Sequence, residues 1–254
     1  MRILALVKRV PATGGRINLT ADGRSIDTAY LGFVVSPHEE CAVEEGVRLV
    51  ETHGGEVVVM TLGPAEAADQ LRDALAVGAA RAVHLETDGS DWDPVATSVA
   101  LVERIRALEA EGGPFDLILA GNESADSGGY QVGIRVAVAL GRPIVNGAKA
   151  LAVDAGVATV RRQASGGWEV YEVPLPAVVG VREGINLPRY PSVPGRLRAK
   201  RMEIDRSTPE RAAGGPELVR LSLPVEQVQE VEILGTGPEA APRVVEILRE
   251  IGAL

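Results

Sequence analysis

Short apolar stretches of strand length alternate with amphipathic stretches of helix length over the first 145 residues, and no other feature constrains the fold as strongly. Residues 2–8 and 57–62 are apolar at their centres, as expected of strands buried on both faces of a sheet. Between them, Ser36-Pro37-His38-Glu39 has the spacing of a capping box and predicts a helix start. Repeated strand–helix units predict an α/β fold with a doubly wound, mostly parallel sheet.

The rest of the chain is predicted to add further strands and helices to this sheet and then to become irregular. Further strands are predicted at residues 82–85, 116–120, 148–153, 157–161, 168–173 and 177–181, and further helices at 65–77, 93–110 and 131–140. Ser165-Gly166-Gly167 is a turn signal that joins two of the additional strands. Residues 14–28 are predicted to form a loop or small hairpin. Residues 186–206 are basic and contain prolines, and they are predicted to be irregular.

The last part of the chain is poor in core-forming residues. Residues 207–254 contain few large apolar side chains apart from 218–223 and a closing helix around 242–251. Such a stretch buries too little apolar surface to fold as a domain. We therefore expect one domain, residues 1–206, and a C-terminal arm, residues 207–254, that packs on a partner subunit.

Charge and cysteine content exclude several classes of protein. With 26 basic and 35 acidic residues the net charge is −9, which argues against non-specific binding to nucleic acid or anionic membranes. Cys41 is the only cysteine, so neither a disulfide framework nor a multi-cysteine metal site is expected, and no metal site is predicted. No apolar run approaches the roughly 20 residues of a membrane span. A cytoplasmic protein that is not inserted in a membrane is therefore expected.

Residues 121–133 form a glycine-rich loop that follows a predicted strand and opens a predicted helix. Open α/β sheets bind ligands at such positions, and Gly128-Gly129 lets a phosphate approach the main chain. The hydroxyl and amide side chains of Asn122, Ser124 and Ser127 add hydrogen-bonding groups. The spacing fits equally an ordinary turn whose helix is capped by Asp126 or Ser127. A P-loop and a G-x-G-x-x-G fingerprint after the first strand are absent from the sequence.

An ordered set of motifs covers nearly the whole length of the chain. It comprises Val7-Lys8-Arg9-Val10, residues 42–49, Gly63-Pro64, residues 74–79, the loop 121–133, Leu175-Pro176-Ala177-Val178-Val179, residues 186–194 and the basic residues 196–201. Together they resemble the β subunit of electron-transfer flavoproteins. The resemblance implies a nucleotide-binding domain similar to the adenine-nucleotide hydrolase and universal-stress-protein folds.

The same resemblance implies a structural AMP in this chain, while the partner α subunit holds FAD. Carried over by position, the AMP contacts are Leu6, Ser36, Pro37, His38, Glu39, Leu62, Gly121, Asn122, Glu123, Ser124, Ala125, Asp126, Ser127, Gly128, Gly129, Tyr130, Gln131 and Val132. Many AMP-binding relatives have Asn-Gln-Thr where this chain has Tyr130-Gln131-Val132, so one hydroxyl is missing. Gln-Val-Gly also occurs in members that bind a second FAD here and bifurcate electrons, and this remains an alternative.

Residues 188–194 resemble the loop with which the family docks onto flavin dehydrogenases, such as the acyl-CoA dehydrogenases of fatty acid β-oxidation. Within the segment 186–201, Val193 takes the position of the apolar anchor. The docking residues implied are Pro188, Arg189, Tyr190, Val193, Arg196, Arg198, Lys200 and Arg201. Thr13 and His38 stand where some relatives place aromatic residues near the partner's flavin. His38 is equally compatible with a simple exposed residue in the first helical turn.

The function expected is therefore that of an electron carrier subunit and not of an enzyme. It passes electrons from dehydrogenases, through the partner's FAD, toward a quinone reductase. Glu123 and Asp126 lack a matched histidine or metal cluster for acid–base catalysis. A free-standing universal-stress-type protein is the competing class, but it leaves residues 186–201 and the arm without a purpose. An ATP-using ligase or hydrolase is disfavoured because a phosphate-activating lysine motif is absent from the sequence.

Overall fold

The computed structural model describes residues 1–12, 14, 17–224 and 232–254, so Thr13 lies outside the described residues. The strands are β1 Arg2–Val7, β2 Arg9–Pro11, β3 Asn18–Leu19, β4 Ile26–Asp27, β5 Phe33–Val35, β6 Glu56–Gly63, β7 Arg81–Glu86, β8 Leu117–Gly121, β9 Ile144–Asp154, β10 Val157–Ala164, β11 Gly167–Pro174, β12 Ala177–Val181 and β13 Ile204–Ser207. The helices are α1 Pro37–His53, α2 Ala68–Val77, α3 Pro94–Gly112, α4 Val132–Leu140, α5 Val193–Arg201 and α6 Ala241–Glu250.

Nine strands form one sheet in the order β11-β10-β9-β12-β8-β1-β6-β7-β13. The seven neighbours β9-β12-β8-β1-β6-β7-β13 pair in parallel, whereas β10 pairs antiparallel with both β9 and β11. β10 and β11 form the hairpin predicted around Ser165-Gly166-Gly167. The predicted α/β fold with a mostly parallel sheet and additional strands is confirmed.

Helices cover both faces of this sheet because its central strands alternate their side chains between two cores. Ile3 and Ala5 of β1 point to the core shared with α1 and α2. Leu4 and Leu6 point to the core shared with α3 and α4, where Phe115 is fully buried. The doubly wound arrangement is therefore confirmed as well.

The chain reverses direction across the sheet at β1. It runs from β1 to β6 and β7 on one side and then returns through α3 to β8 on the other side of β1. The carboxyl ends of β1 and β8 consequently diverge into helices on opposite faces, α1 and α4. This is the topological switch point at which open sheets of this type bind ligands.

The prediction of an irregular segment up to residue 206 is wrong. Ser192 caps the helix α5 by accepting a hydrogen bond from the Gly195 N–H at 3.1 Å. The following strand β13 pairs in parallel with β7 at the edge of the sheet. Helix and strand form there because they pack on α2 and β7, which are distant in sequence.

The capping box predicted at Ser36-Pro37-His38-Glu39 is incomplete. The helix α1 begins there, with Pro37 at its first position, but the Ser36 side chain makes no cap hydrogen bond. The Glu39 carboxylate accepts from the Lys8 N–H and also bonds with the Ser36 backbone. Glu39 thus adds a tertiary hydrogen bond to the local one.

Residues after Ser207 contact the domain at few points. Arg211 lies over the Trp92 ring, and the Leu221 N–H donates to the Gly23 carbonyl at 2.7 Å. Among residues 208–224 and 232–254 no residue is buried, and Ile251 and Leu254 of the closing helix region are largely exposed. The division into domain and arm stays a prediction. Nowhere in the described ranges is a helix both long and apolar enough to cross a membrane.

Candidate functional site

Glu39 lies at the base of the crevice between the carboxyl ends of β1 and β8. The Lys8 N–H, just after β1, donates to Glu39 Oε2 at 2.7 Å. A Cβ on Gly121, the last residue of β8, would lie 2.6 Å from Glu39 Cγ. Glycine at position 121 therefore makes room for the acidic side chain that joins α1 to the end of the central strand.

Glu39 is almost fully buried, at 7% exposure. Burial raises the pKa of Glu39 to about 8, although the hydrogen bond from the Lys8 N–H and the Lys8 charge oppose this rise. Much of the group is then protonated at neutral pH. A protonated carboxyl group can donate a hydrogen bond to a ligand in the crevice.

Lys8 holds the glycine-rich loop against the end of β1. Its Nζ lies 2.6 Å from Asp126 Oδ2. Burial alone would raise the pKa of Asp126, but the ammonium group of Lys8 and hydrogen bonds from Lys8, Ser124 and Ser127 outweigh it and lower this pKa. The loop is thus fixed electrostatically at its centre.

His38 bridges the same loop to the segment that follows β12. The Glu183 N–H donates to His38 Nδ1 at 2.8 Å, and Nε2 lies 3.2 Å from Glu123 Oε1. Because Nδ1 accepts a hydrogen bond, the ring proton resides on Nε2 and points at Glu123. The His38 side chain is only 14% exposed, so the alternative of a simple exposed residue is wrong.

The glycine-rich loop itself is tightly folded. Gly128 and Tyr130 both have positive φ, 55° and 54°, and the second is unusual for a residue with a Cβ. The hydroxyl groups of Ser124 and Ser127 lie 2.9 Å apart and share a hydrogen bond. A hydrogen bond with Glu123 raises the pKa of the half-exposed Tyr130. Such strain in a non-glycine residue is typical of ligand-binding loops.

The first-turn N–H groups of α4 lie beside this loop, and no side chain of the described residues caps them. Gln131 is the capping residue but makes no side-chain cap, because its Oε1 accepts from Arg135 at 3.0 and 3.2 Å. Asp126 and Ser127 have other partners, so neither caps the helix. The alternative of an ordinary turn with one of these residues as the cap is therefore wrong. The first-turn N–H groups and the nearby Arg135 guanidinium together favour an anion.

The remaining predicted contacts lie around the same edge of the sheet. Leu6 is buried and Leu62 partly buried in the core on the α3 and α4 side. Ser36 is fully buried, and its hydroxyl has no hydrogen-bond partner in the described structure. An orphaned buried hydroxyl is costly unless a ligand or water satisfies it. The structure thus brings residues 36–39 together with the loop 121–132.

The chemistry of the crevice suits a nucleotide in one orientation. Apolar contacts and the Ser36 hydroxyl fit a base or sugar, whereas the carboxylates of Glu123 and Asp126 would disfavour a phosphate beside them. A phosphate would have to lie at the start of α4. Within the described residues, no group of three or more His, Cys, Asp or Glu side chains is arranged to hold a metal ion.

The segment 186–201 divides its predicted docking residues into two groups. Tyr190 and Val193 are 95% and 72% exposed. Arg189 is instead paired with Glu44, and Arg198 Nη2 donates to the Leu75 carbonyl at 2.9 Å. Pro188 is half-buried, while the predicted residues on the helix α5, Arg196, Lys200 and Arg201, belong to exposed positions.

Two residues of the site were missed by sequence reasoning. Lys8 and Glu183 follow the ends of β1 and β12, which meet the same edge of the sheet as β8. A charged residue directly after a buried strand was the available signal for Lys8. Glu183 contributes through its backbone N–H, and no sequence pattern would have revealed that contact.

Comparisons with known proteins agree in one family. The model of the electron transfer flavoprotein domain matches residues 25–212. "Electron transfer flavoprotein subunit beta" of Syntrophomonas wolfei is 36% identical over 92% of this chain and 90% of its own length. The protein of the same name from Bacillus subtilis is 32% identical over 98% of both chains. "Electron transfer flavoprotein subunit beta, mitochondrial" of Oryza sativa subsp. japonica is 36% identical over 83% of each.

Proposed function

We propose, because this chain belongs to the electron transfer flavoprotein family, that it is the small (β) subunit of a heterodimeric electron carrier. In this role it docks flavin dehydrogenases such as acyl-CoA dehydrogenases, and electrons pass through the partner α subunit's FAD toward a quinone reductase. The observation that carries the proposal is the family match over residues 25–212. The arm, which contains no buried residue among those described, supports a partner subunit.

The nucleotide that we propose for this chain is AMP. Its support is the orphaned Ser36 hydroxyl, the folded glycine-rich loop and the uncapped start of α4 at one edge of the sheet. One phosphate placed at that helix start avoids Glu123 and Asp126, whereas a longer phosphate chain would meet their charges. The role is structural, because the ligand would join the ends of β1 and β8 to the start of α4 and take no part in the redox chemistry.

FAD belongs mainly to the partner in this proposal and supplies the redox chemistry when bound. This chain contributes a scaffold and a docking segment, and it needs no acid–base residues of its own. Thr13 and His38 were predicted near that flavin. His38 is already engaged with Glu123 and Glu183, so we propose that it orders the rim of the site.

Two alternatives lead to different ligands. A bifurcating subunit would hold a second FAD in place of AMP, and the Tyr130-Gln131-Val132 sequence favours it. The exposed Tyr130 ring, at 52%, is available to contact a second large ligand. A free-standing universal-stress-type protein would be a stable monomer that exchanges ATP. The exposed apolar residues of segment 186–201 argue against that class.

Docking through Val193 gives a direct test of the proposed role. Val193→Ala in the flavin-loaded heterodimer is expected to slow electron transfer from a dehydrogenase about tenfold, because truncating an apolar anchor removes a binding hot spot. Bound flavin should not change. Stopped-flow absorbance of flavin reduction by the reduced dehydrogenase measures the transfer.

Val138→Ala is the matched control for this test. Val138, on α4, is exposed to nearly the same extent, 74% against 72% for Val193, but it lies outside the docking segment. Its variant should transfer electrons as fast as the wild type. Equal rates for the Val193 variant and the wild type would remove Val193 from the docking surface.

A further inference from the structure

The docking segment, residues 186–201, is bonded along the length of α1 although about 145 residues separate the two in sequence. Asn186 Nδ2 donates to the Cys41 carbonyl at 3.0 Å and to Glu45 Oε2 at 2.9 Å. Just before the segment, the Glu183 N–H donates to His38. The segment therefore begins on the first two turns of α1.

Arg189 makes the next and strongest connection. Its Nε lies 2.9 Å from Glu44 Oε2, and its Nη1 and Nη2 lie 2.6 and 2.9 Å from the two oxygens of Glu51. The Arg189 backbone N–H also donates to Glu44 Oε2 at 3.2 Å. One guanidinium group thus binds two carboxylates with the fork geometry that makes arginine–carboxylate pairs specific.

The two carboxylates are suited to hold that group in place. Glu44 and Glu51 are seven residues apart and so lie on one side of α1. Glu44 is buried, at 5% exposure, and a buried carboxylate requires its partner. The hydrogen bonds that Arg189 donates to Glu51 and Glu44 raise the pKa of Arg189, and the bond accepted from Arg189 lowers the pKa of Glu51.

This bonding leaves the apolar side chains of the segment facing solvent. Leu187, Tyr190 and Val193 are 91%, 95% and 72% exposed. Three apolar residues within seven positions are thus displayed on a backbone that is already ordered. Ordering a loop before binding removes a cost that would otherwise weaken the complex.

We infer that Glu44 and Glu51 are positioning residues which, through Arg189, hold the docking segment in the pose that binds the dehydrogenase. Arg189 then acts on its own chain and not on the partner enzyme. The inference rests on the proposed docking function, but the pose itself is a property of this chain. Loss of the Glu44–Arg189 pair should release the segment without changing the dehydrogenase or the bound flavin.

The test compares isosteric variants of the flavin-loaded heterodimer. Glu44→Gln is expected to raise the KM of the dehydrogenase for the heterodimer about tenfold while kcat and flavin content stay the same, because only the docking pose is lost. Glu109→Gln is the matched control. This variant breaks a partly buried ion pair, Glu109–Arg142 at 2.6 Å, which lies on α3 and away from the docking segment. It should leave KM unchanged.

A second measurement, the rate of tryptic cleavage, detects release of the docking segment in the absence of any dehydrogenase. Trypsin should cleave after Arg196, Arg198, Lys200 or Arg201 several times faster in Glu44→Gln than in the wild type or in Glu109→Gln. Glu51→Gln removes a more exposed carboxylate, at 55%, so it should fold normally and show a smaller change of the same sign. It replaces Glu44→Gln if that variant fails to fold.

The outcomes separate the inference from the proposed function. An unchanged KM together with unchanged cleavage in both variants overturns the positioning role. If Arg189→Lys raises KM without faster cleavage, Arg189 contacts the dehydrogenase itself and the inference is again overturned. If no dehydrogenase reduces the wild-type heterodimer, the proposed function fails, and the trypsin comparison alone decides whether Glu44 holds the segment.

Discussion

Replacing Glu39 with glutamine is expected to stabilise the heterodimer markedly at pH 8 and hardly at all at pH 5. The cause is the pKa of about 8 that burial gives this carboxyl group in the fold, against an ordinary value of 4.5. The folded chain therefore holds a proton that the unfolded chain releases between these two values. The contribution of protonated Glu39 to the free energy of unfolding is fully present below pH 4.5. It falls as pH rises from 4.5 to 8 and is lost once pH has risen through 8.

The size of this loss follows from the distance between the two pKa values. It is about 5 kcal/mol when complete. Glutamine keeps an oxygen that can accept the Lys8 N–H but carries no charge at any pH. A domain of this size changes its melting temperature by about 2–4 °C per kcal/mol, so the variant should melt about 10 °C or more above the wild type at pH 8.

Differential scanning fluorimetry at pH 5 and pH 8 measures the effect as the difference between variant and wild type, in which other titrating groups cancel. Glu172→Gln, at an exposed position of β11, is the control and should show the same difference at both pH values. A Glu39→Gln variant that melts no higher than the wild type at pH 8 would contradict the buried, protonated state of Glu39.

Alanine at position 121 is expected to damage both stability and nucleotide binding. Its Cβ would lie 2.6 Å from Glu39 Cγ and 3.3 Å from the Glu123 carbonyl oxygen. Glu39 cannot move away cheaply, because the Lys8 N–H holds its carboxylate. Overpacking of this kind costs about 1–3 kcal/mol, and the displaced Glu39 would enter the crevice where the nucleotide is proposed.

The experiment measures melting temperature and bound nucleotide for the same preparations. Gly167→Ala is the matched control, since a Cβ there meets nothing within 4 Å and the site is distant. Gly121→Ala should melt lower than this control and contain little AMP. Equal melting and full nucleotide content in the two variants would show that Gly121 is not needed to accommodate Glu39.

The sheet and the location of the site could be predicted from the sequence because local patterns encode them. Buried strands such as residues 2–8 and 57–62 carry their own apolar signal, and the loop 121–133 marks a strand end. Packing between distant segments escaped prediction. The helix α5 has a weak apolar pattern of its own, and it forms where Gly195 lies against the Ala76 carbonyl and Arg72 donates to the Ala199 and Met202 carbonyls.

Partners of charged residues were likewise invisible in the sequence. From the sequence, Arg189 is expected to be a surface cation in a basic segment. In the structure it is paired with Glu44 and Glu51, which lie some 140 residues earlier. The sequence places Glu39 in a capping box, but the end of β1 supplies a second donor, the Lys8 N–H. Side chains at the switch point take partners from several strands at once, so only the assembled sheet determines them.

Counting the nucleotides bound to the heterodimer distinguishes a carrier subunit that holds AMP from the alternatives. The chain is co-expressed with its α subunit, the complex is purified and denatured, and the released nucleotides are separated and quantified. We expect a heterodimer that releases one FAD and one AMP. Two FAD without AMP would contradict the structural nucleotide, and a stable monomer that exchanges ATP would contradict the assignment as a carrier subunit.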